Sequence, residues 1–152
     1  MPRHPDTVPR ALLTLGWREW LGLPEFGIAA IRAKIDSGAR SSALHVDALE
    51  VFAGADGERV RFAIAPGGGV APLHCEAAVI DRRPVTDSGG HRTERVFIRT
   101  ELVAGPLRFA IEVNLASRRN MLFPMLLGRT AMAGRMLVDP AASFLLGERP
   151  PP

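Results

Sequence analysis

The stretch Ala33-Lys34-Ile35-Asp36-Ser37-Gly38-Ala39-Arg40-Ser41-Ser42 decides how the rest of the chain is read. Leading into it, Ile31, Ala33 and Ile35 alternate with Arg32 and Lys34, the period of two of a strand with one buried face. That strand runs straight into a carboxylate, and a hydroxyl, a glycine and a small residue follow at once. The order suits a catalytic carboxylate: the strand fixes Asp36, Gly38 lets backbone approach closely, and Ser37 donates a hydrogen bond that steadies the loop. Asp, Ser and Gly are equally the residues of an ordinary turn, so the stretch alone leaves both readings open.

Working outward, the same alternation recurs. Val60, Phe62 and Ile64 stand against Arg59 and Arg61, and Phe109, Ile111, Val113 and Leu115 against Arg108, Glu112 and Asn114. Residues 73–80 and 95–103 add candidate strands. Turn chemistry separates them at Gly54-Ala55-Asp56-Gly57, residues 66–69, Ser88-Gly89-Gly90 and Ala104-Gly105-Pro106. Only residues 130–134 suggest a helix, about one turn long, with Thr130 as its cap and Gly134 as its stop. The expectation is a mostly β fold, a compact barrel or sandwich of largely antiparallel strands. Pro-rich, polar residues 1–10 and 148–152 read as tails, leaving 11–147 as the domain.

Composition narrows the function classes. With 152 residues, 47% apolar and 23% charged, the chain is sized for one core and is not disordered. Its apolar runs fall short of the roughly 18 residues of a membrane helix, Cys75 has no disulfide partner in the chain, and residues 1–10 lack the apolar core of a signal peptide. A reducing cytoplasm is the expected location. Of nineteen cations eighteen are Arg, which favours planar, bidentate recognition of carboxylate or phosphate. Residues 36–81 carry seven acids against Arg40, Arg59 and Arg61, whereas residues 82–135 carry ten Arg against Asp87, Glu94, Glu101 and Glu112. The basic segment faces solvent, an acidic peptide or nucleic acid; nucleic acid is not the expected partner.

A second segment, Met125-Leu126-Leu127-Gly128-Arg129, follows a Pro-containing turn and leads into the short helix. Together the two segments resemble aspartic peptidases of the retropepsin type, whose Asp-Thr/Ser-Gly-Ala loop is braced by an apolar-apolar-Gly-Arg segment before a C-terminal helix. The likeness extends to one bacterial family of retropepsin-like proteins, RimB-like and RimK-associated, commonly labelled ATP-dependent zinc proteases. It covers residues 15–147, with landmarks at Gly16-Trp17-Arg18-Glu19-Trp20, residues 33–45, Thr86-Asp87-Ser88-Gly89-Gly90-His91, residues 125–129 and Asp139-Pro140.

The resemblance implies a closed retropepsin-like (acid protease) β-barrel with one short C-terminal helix, and one catalytic aspartate per chain. Asp36, Ser37 and Gly38 would form the catalytic loop, with Ala39, Leu126, Leu127, Gly128 and Arg129 in support. A chain of this length does not easily hold two such lobes, so the implied enzyme is a homodimer. Two carboxylates about 3 Å apart cannot both ionise, so one stays protonated while the other acts as base on a shared water. Ser88, Gly89, Gly90 and His91 would be the tip of a flap that excludes water; their other reading is a plain hairpin tip. An extra hairpin is expected at residues 46–65.

Members of this family accompany RimK-type ATP-grasp ligases that add glutamates to a ribosomal protein, so an acidic peptide or poly-glutamate tail is the implied substrate. Arg40, Arg92, Arg95, Arg118 and Arg119 are candidate carboxylate binders; alternatively such arginines pair with Glu94, Glu101 and Glu112. The zinc and ATP of the family label find no His-Glu-x-x-His helix and no phosphate-binding Gly-rich loop. His45, His74, Cys75 and His91 lack the tight spacing of a structural zinc site, so neither metal nor cofactor is expected. His45 reads instead as a partly buried strand residue bonded to backbone, Cys75 as a small buried apolar residue, and Trp17 and Trp20 as core or dimer-contact aromatics. Three functions stay open: an aspartic peptidase, a non-catalytic binding module for a glutamate ligase or ribosomal protein, and a zinc-dependent protease.

Overall fold

The computed structural model of the chain describes residues 11–87, 89–117 and 122–148. Among them run the strands β1 (Leu13–Gly16), β2 (Arg18–Leu23), β3 (Ile28–Asp36), β4 (Ser42–Gly54), β5 (Gly57–Ile64) and β6 (Leu73–Ala78). These are followed by β7 (Asp81–Thr86), β8 (Arg92–Ala104), β9 (Leu107–Ser117) and β10 (Met125–Gly128), then one helical turn, α1 (Arg129–Met132), and β11 (Met136–Asp139).

The alternating stretches behave as strands with one buried face. In β3, Ile31, Ala33 and Ile35 are buried while Lys34 is exposed; in β5, Val60, Phe62 and Ile64 are buried between half-buried Arg59 and exposed Arg61 neighbours. Pairings run from β10 through β3, β2, β8, β9 and β4 and back to β10, so the sheet is a ring; β5 and β6 continue outward from β4, and β7 from β8. The thinnest seam is β2 with β8, where one residue pair, Gly22 with Val103, makes the join. The expected hairpin at 46–65 is the outer part of β4 turning at Ala55-Asp56 into β5.

The pairing that positions the site is β10. It runs parallel to β3, with Gly128 opposite Asp36, and antiparallel to β4, with Met125 opposite Leu44. A segment from late in the chain therefore lies between the two strands that flank the Asp36 loop. Met125 and Leu127 point into the core with Leu15, Leu21, Leu44, Phe62, Ile98 and Leu102, all at most 2% exposed. Burying each such side chain contributes about 2 kcal/mol of transfer free energy, so β10 is anchored by packing as well as by its two ladders.

Three expectations need correction. Asn114, read as outward-facing, is buried, because its amide donates to the Ser42 carbonyl at 3.0 Å. Thr130 does not cap α1: the cap position is Gly128, and the Thr130 hydroxyl donates to the Arg40 carbonyl at 2.8 Å. Gly134 does end the helical segment, at φ +78°. Residues 81–86, not expected as a strand, form β7, an edge strand that tolerates Pro84 because it pairs with β8 alone. The expected tails, 1–10 and 148–152, fall outside the described residues apart from Glu148.

The Gly16-to-Trp20 stretch also holds a residue the sequence did not single out. Glu19 is fully buried, its carboxylate accepting backbone N–H bonds from Gly16 at 2.6 Å, Leu145 at 3.0 Å and Leu146 at 3.1 Å. These charge-assisted bonds hold the segment after β11 against β2. Arg18 caps the same junction, its guanidinium over the Trp17 ring at 4.7 Å and the Phe144 ring at 4.8 Å. No helix among the described residues is long and apolar enough to cross a membrane.

Candidate active site

Asp36 is the last residue of β3, half-buried, and its backbone is set by the ladder to β10. Oδ1 accepts the N–H groups of Gly38 at 3.0 Å and Ala39 at 3.2 Å, so the loop curls around its own carboxylate and leaves Oδ2 without such a partner among the described residues. The loop is strapped from outside by the start of α1. The Arg129 N–H donates to the Ala39 carbonyl at 2.8 Å, the Arg129 guanidinium to the Gly38 carbonyl at 3.3 Å, and the Thr130 N–H to the Arg40 carbonyl at 3.2 Å. Ser37 is exposed and its hydroxyl has no hydrogen-bond partner among the described residues; the steadying expected of it comes from the carboxylate and these straps.

Gly128 is present for space rather than for backbone freedom, since its φ of −93° suits any residue. A Cβ there would lie 2.5 Å from the carbonyl carbon and oxygen of Ser41 and 2.9 Å from the Ser42 nitrogen. Its N–H donates to the Ser42 hydroxyl at 3.0 Å, and Asn114, bonded to the Ser42 carbonyl, accepts in turn from the Arg95 guanidinium at 3.0 Å. One hydrogen-bonded chain thus links β8, β9, β4 and β10 beside the Asp36 loop.

Asp36 borders an open cleft of about 380 Å³, shared with Lys34 on β3, Ala43 and His45 on β4, Arg95, Asn114, Phe123 and Leu126. Val85, Thr86 and Asp87, the arm leading to the proposed flap, line it too. The flap candidate is the tip of the β7–β8 hairpin. Ser88 lies outside the described residues; Gly89, Gly90 and His91 form the turn and, among the described residues, do not line the cleft. Asp87 organises the tip, its Oδ1 accepting the N–H groups of Gly89 and His91, both at 2.9 Å. The His91 backbone bond is the main cause that holds the Asp87 carboxyl below the usual carboxylate range, against an opposing effect of desolvation.

The candidate arginines divide. Arg95 lines the cleft, half-buried. Arg92 is exposed at the start of β8, opposite Thr86, and does not line it; Arg40 is exposed and lends the site its carbonyl rather than its side chain. Arg118 and Arg119 lie outside the described residues. Much of the remaining basic segment pairs with nearby acids: Arg83 with Glu112 at 2.8 Å and Asp81 at 2.6 Å, Arg82 with Glu58 at 2.7 Å, and Arg108 with Glu101. These exposed pairs contribute little stability, and among the described residues Arg92, Arg95, Arg99, Arg129 and Arg135 of the same segment make no ion pair.

His45 is the cleft residue that sequence reasoning undervalued. Its N–H donates to the Pro124 carbonyl at 2.8 Å and its Nδ1 lies 2.9 Å from the Phe123 carbonyl, the backbone bonding expected of it. Burial, the largest cause, and the Arg95 charge push its pKa below the ordinary histidine value, opposed by the Phe123 bond. Stability conferred by the neutral ring is then present above the ordinary value and lost as pH falls through the lowered one. In an NMR titration the His45 ring is expected to charge at a lower pH than an ordinary histidine, its neutral form carrying the proton on Nδ1 toward the Phe123 carbonyl; a midpoint at or above the ordinary value would refute this environment.

Among the described residues no three of His, Cys, Asp and Glu converge as metal ligands. His45 lines the cleft, His91 stands at the hairpin tip and Cys75 is buried on β6, its thiol pKa raised by desolvation. The described residues therefore do not fit a zinc site.

A family model described as retropepsin-like aspartic endopeptidase RimB matches residues 14–149. The chain belongs to the RimB-like family. It is also similar to proteins named probable alpha-L-glutamate ligase. That of Desulfotalea psychrophila is 39% identical over 136 residues, 88% of this chain and 29% of the relative. Those of Shewanella pealeana and Shewanella halifaxensis are each 37% identical over 137 residues, 89% of this chain and 30% of theirs. The RimB-like chain thus spans about 30% of the length of these relatives. In three dimensions it is similar to the crystal structure of a Legionella pneumophila protein of unknown function (DUF785), with a TM-score of 0.74 and 25% identity, covering 90% of this chain and 99% of that one.

Proposed function

We propose that the chain is a homodimeric, retropepsin-like aspartic endopeptidase of the cytoplasm that hydrolyses acidic peptides, with Asp36 from each of two chains as the catalytic pair. The ring of strands is then the peptidase barrel, the β7–β8 hairpin its flap, and the whole of residues 11–147 one catalytic domain. One observation carries the reading: Asp36 is seated at the end of β3 beside Gly128, with one carboxylate oxygen held by loop N–H groups, at the edge of a cleft that Arg95 lines.

The chemistry needs a second carboxylate. With two at about 3 Å, one is ionised and takes a proton from the shared water as its oxygen attacks the scissile carbonyl. The protonated partner donates a hydrogen bond to the developing oxyanion, and a proton passes to the leaving amine as the C–N bond breaks. Arg95, and Arg40, Arg92, Arg118 and Arg119 where the flap and the second chain bring them near, would hold substrate carboxylates. Each partly desolvated contact is worth on the order of 1 kcal/mol.

Subunit mixing tests the shared site. A heterodimer of wild-type and Asp36→Asn chains, purified through two different tags, is expected to be as inactive as the Asp36→Asn homodimer. Retention of roughly half the wild-type rate would mean that each Asp36 works alone, and would end the paired mechanism.

A second reading is favoured by the relatives named as glutamate ligases, of which this chain matches about 30%. In it the RimB-like domain binds a RimK-type ATP-grasp ligase or the ligase's protein substrate. Such binding would be salt-sensitive, would survive Asp36→Asn and would yield no cleaved product.

A further inference from the structure

We propose that Lys34 is a specificity-determining residue of the Asp36 cleft, its ammonium binding a carboxylate side chain of the substrate next to the scissile bond. The proposal rests on the peptidase reading and names the group that would select an acidic substrate.

Lys34 is the one lysine in a chain with eighteen arginines. It stands two residues before Asp36 on the same face of β3, and both line the cleft. Two residues of strand span about 6.7 Å, the same step that separates same-face side chains of an extended peptide. A substrate whose scissile carbonyl lies at Asp36 therefore brings a side chain of an adjacent residue within reach of the Lys34 stem.

The cations around it are each held in place by neighbouring groups. Arg95, the other strong cation of the cleft, donates to Asn114 at 3.0 Å and to Thr93 at 3.3 Å. Arg32, two residues earlier on β3, donates to the Leu122 carbonyl at 2.6 Å and stands over the Phe123 ring. Arg18, opposite Lys34 on β2, is stacked between two rings and bonded to Ser143, and Leu126 lies opposite on β10. Asp87 accepts the Gly89 and His91 N–H groups on its Oδ1. The Lys34 side chain is exposed, and its ammonium has no hydrogen-bond or ion-pair partner among the described residues. An uncommitted ammonium beside a like-charged cross-strand neighbour is a ready place for an anion. Its flexible stem and three rotatable donors let it follow a carboxylate as the peptide settles.

The test compares hexa-glutamate with a hexapeptide in which alternate glutamates are replaced by glutamine, measuring product release by mass spectrometry. Lys34→Met is expected to lower kcat/KM on hexa-glutamate by about 10-fold, mainly through KM, to change the glutamine-containing peptide far less, and Lys34→Arg to restore most of the loss. Equal losses on both peptides, or none, would overturn the assignment. Failure of the wild-type protein to cut either peptide would instead sink the peptidase reading. Lys34 would then be judged by fluorescence anisotropy with labelled hexa-glutamate on the Asp36→Asn background. There Lys34→Met weakening Kd by about 10-fold supports the subsite, and an unchanged Kd removes it.

Discussion

Replacing Asp36 by Asn is expected to lower kcat/KM for acidic-peptide cleavage by roughly 10⁴-fold while the protein melts within about 3 °C of wild type. The two halves of this result have separate causes. Asparagine keeps a carbonyl oxygen where Oδ1 now accepts the Gly38 and Ala39 N–H groups, so the loop retains its local bonds. The straps from Arg129 and Thr130 end on backbone carbonyls that the substitution leaves untouched. What is lost is the group that takes and returns a proton, and no other carboxylate of the cleft is placed to replace it, since Asp87 is bound into the hairpin tip. Rates are best followed with hexa-glutamate and the melt by circular dichroism. Unchanged turnover would end the aspartic mechanism, whereas lost turnover with a collapsed melt would mean that the side chain's role is structural.

The second large effect is on stability. Gly128→Ala should destabilise the fold by about 3 kcal/mol or more, measured by urea unfolding, with loss of activity in whatever protein still folds. The backbone at this position would accept alanine, but the added Cβ meets Ser41 main-chain atoms at 2.5 Å on a strand held on both sides. Relief requires β10 to move away from β4, which breaks the Gly128 bond to the Ser42 hydroxyl and shifts the pairing with Asp36. Because the obstacle is backbone, trimming the Ser41 side chain to glycine should not rescue the variant. A Gly128→Ala protein of wild-type stability would show that the close approach of these segments is not required.

What the sequence revealed follows from where the signal was local. The alternation in β3 and β5, the turn residues between β4 and β5, and the glycine ending α1 each state their structure within a few neighbouring residues. The Asp36 loop and the Gly128 segment were linked only by their joint resemblance to the retropepsin pattern, since the Asp36 stretch alone reads equally as a turn; the structure makes the two neighbours through the β3–β10 ladder. Three other features were not legible. An edge strand such as β7 buries little, so Asp81-Arg82-Arg83-Pro84 carries no apolar period to read. A polar residue placed inward, such as Asn114, looks like any outward one until its partner, the distant Ser42 carbonyl, is known. The cleft's membership depends on which way each side chain leaves its strand, which places Lys34, His45 and Arg95 together and leaves Arg40 and Arg92 aside.

The insertion of β10 between β3 and β4 also orders events in time. During biosynthesis the ribosome adds Asp36 and both flanking strands long before the segment that seats them, so the growing polypeptide carries the Asp36 carboxylate on an unbraced loop. Pairings this distant along the chain close late and slowly. On the peptidase reading proposed above, competence therefore cannot precede the addition of Arg129, whose N–H straps the loop.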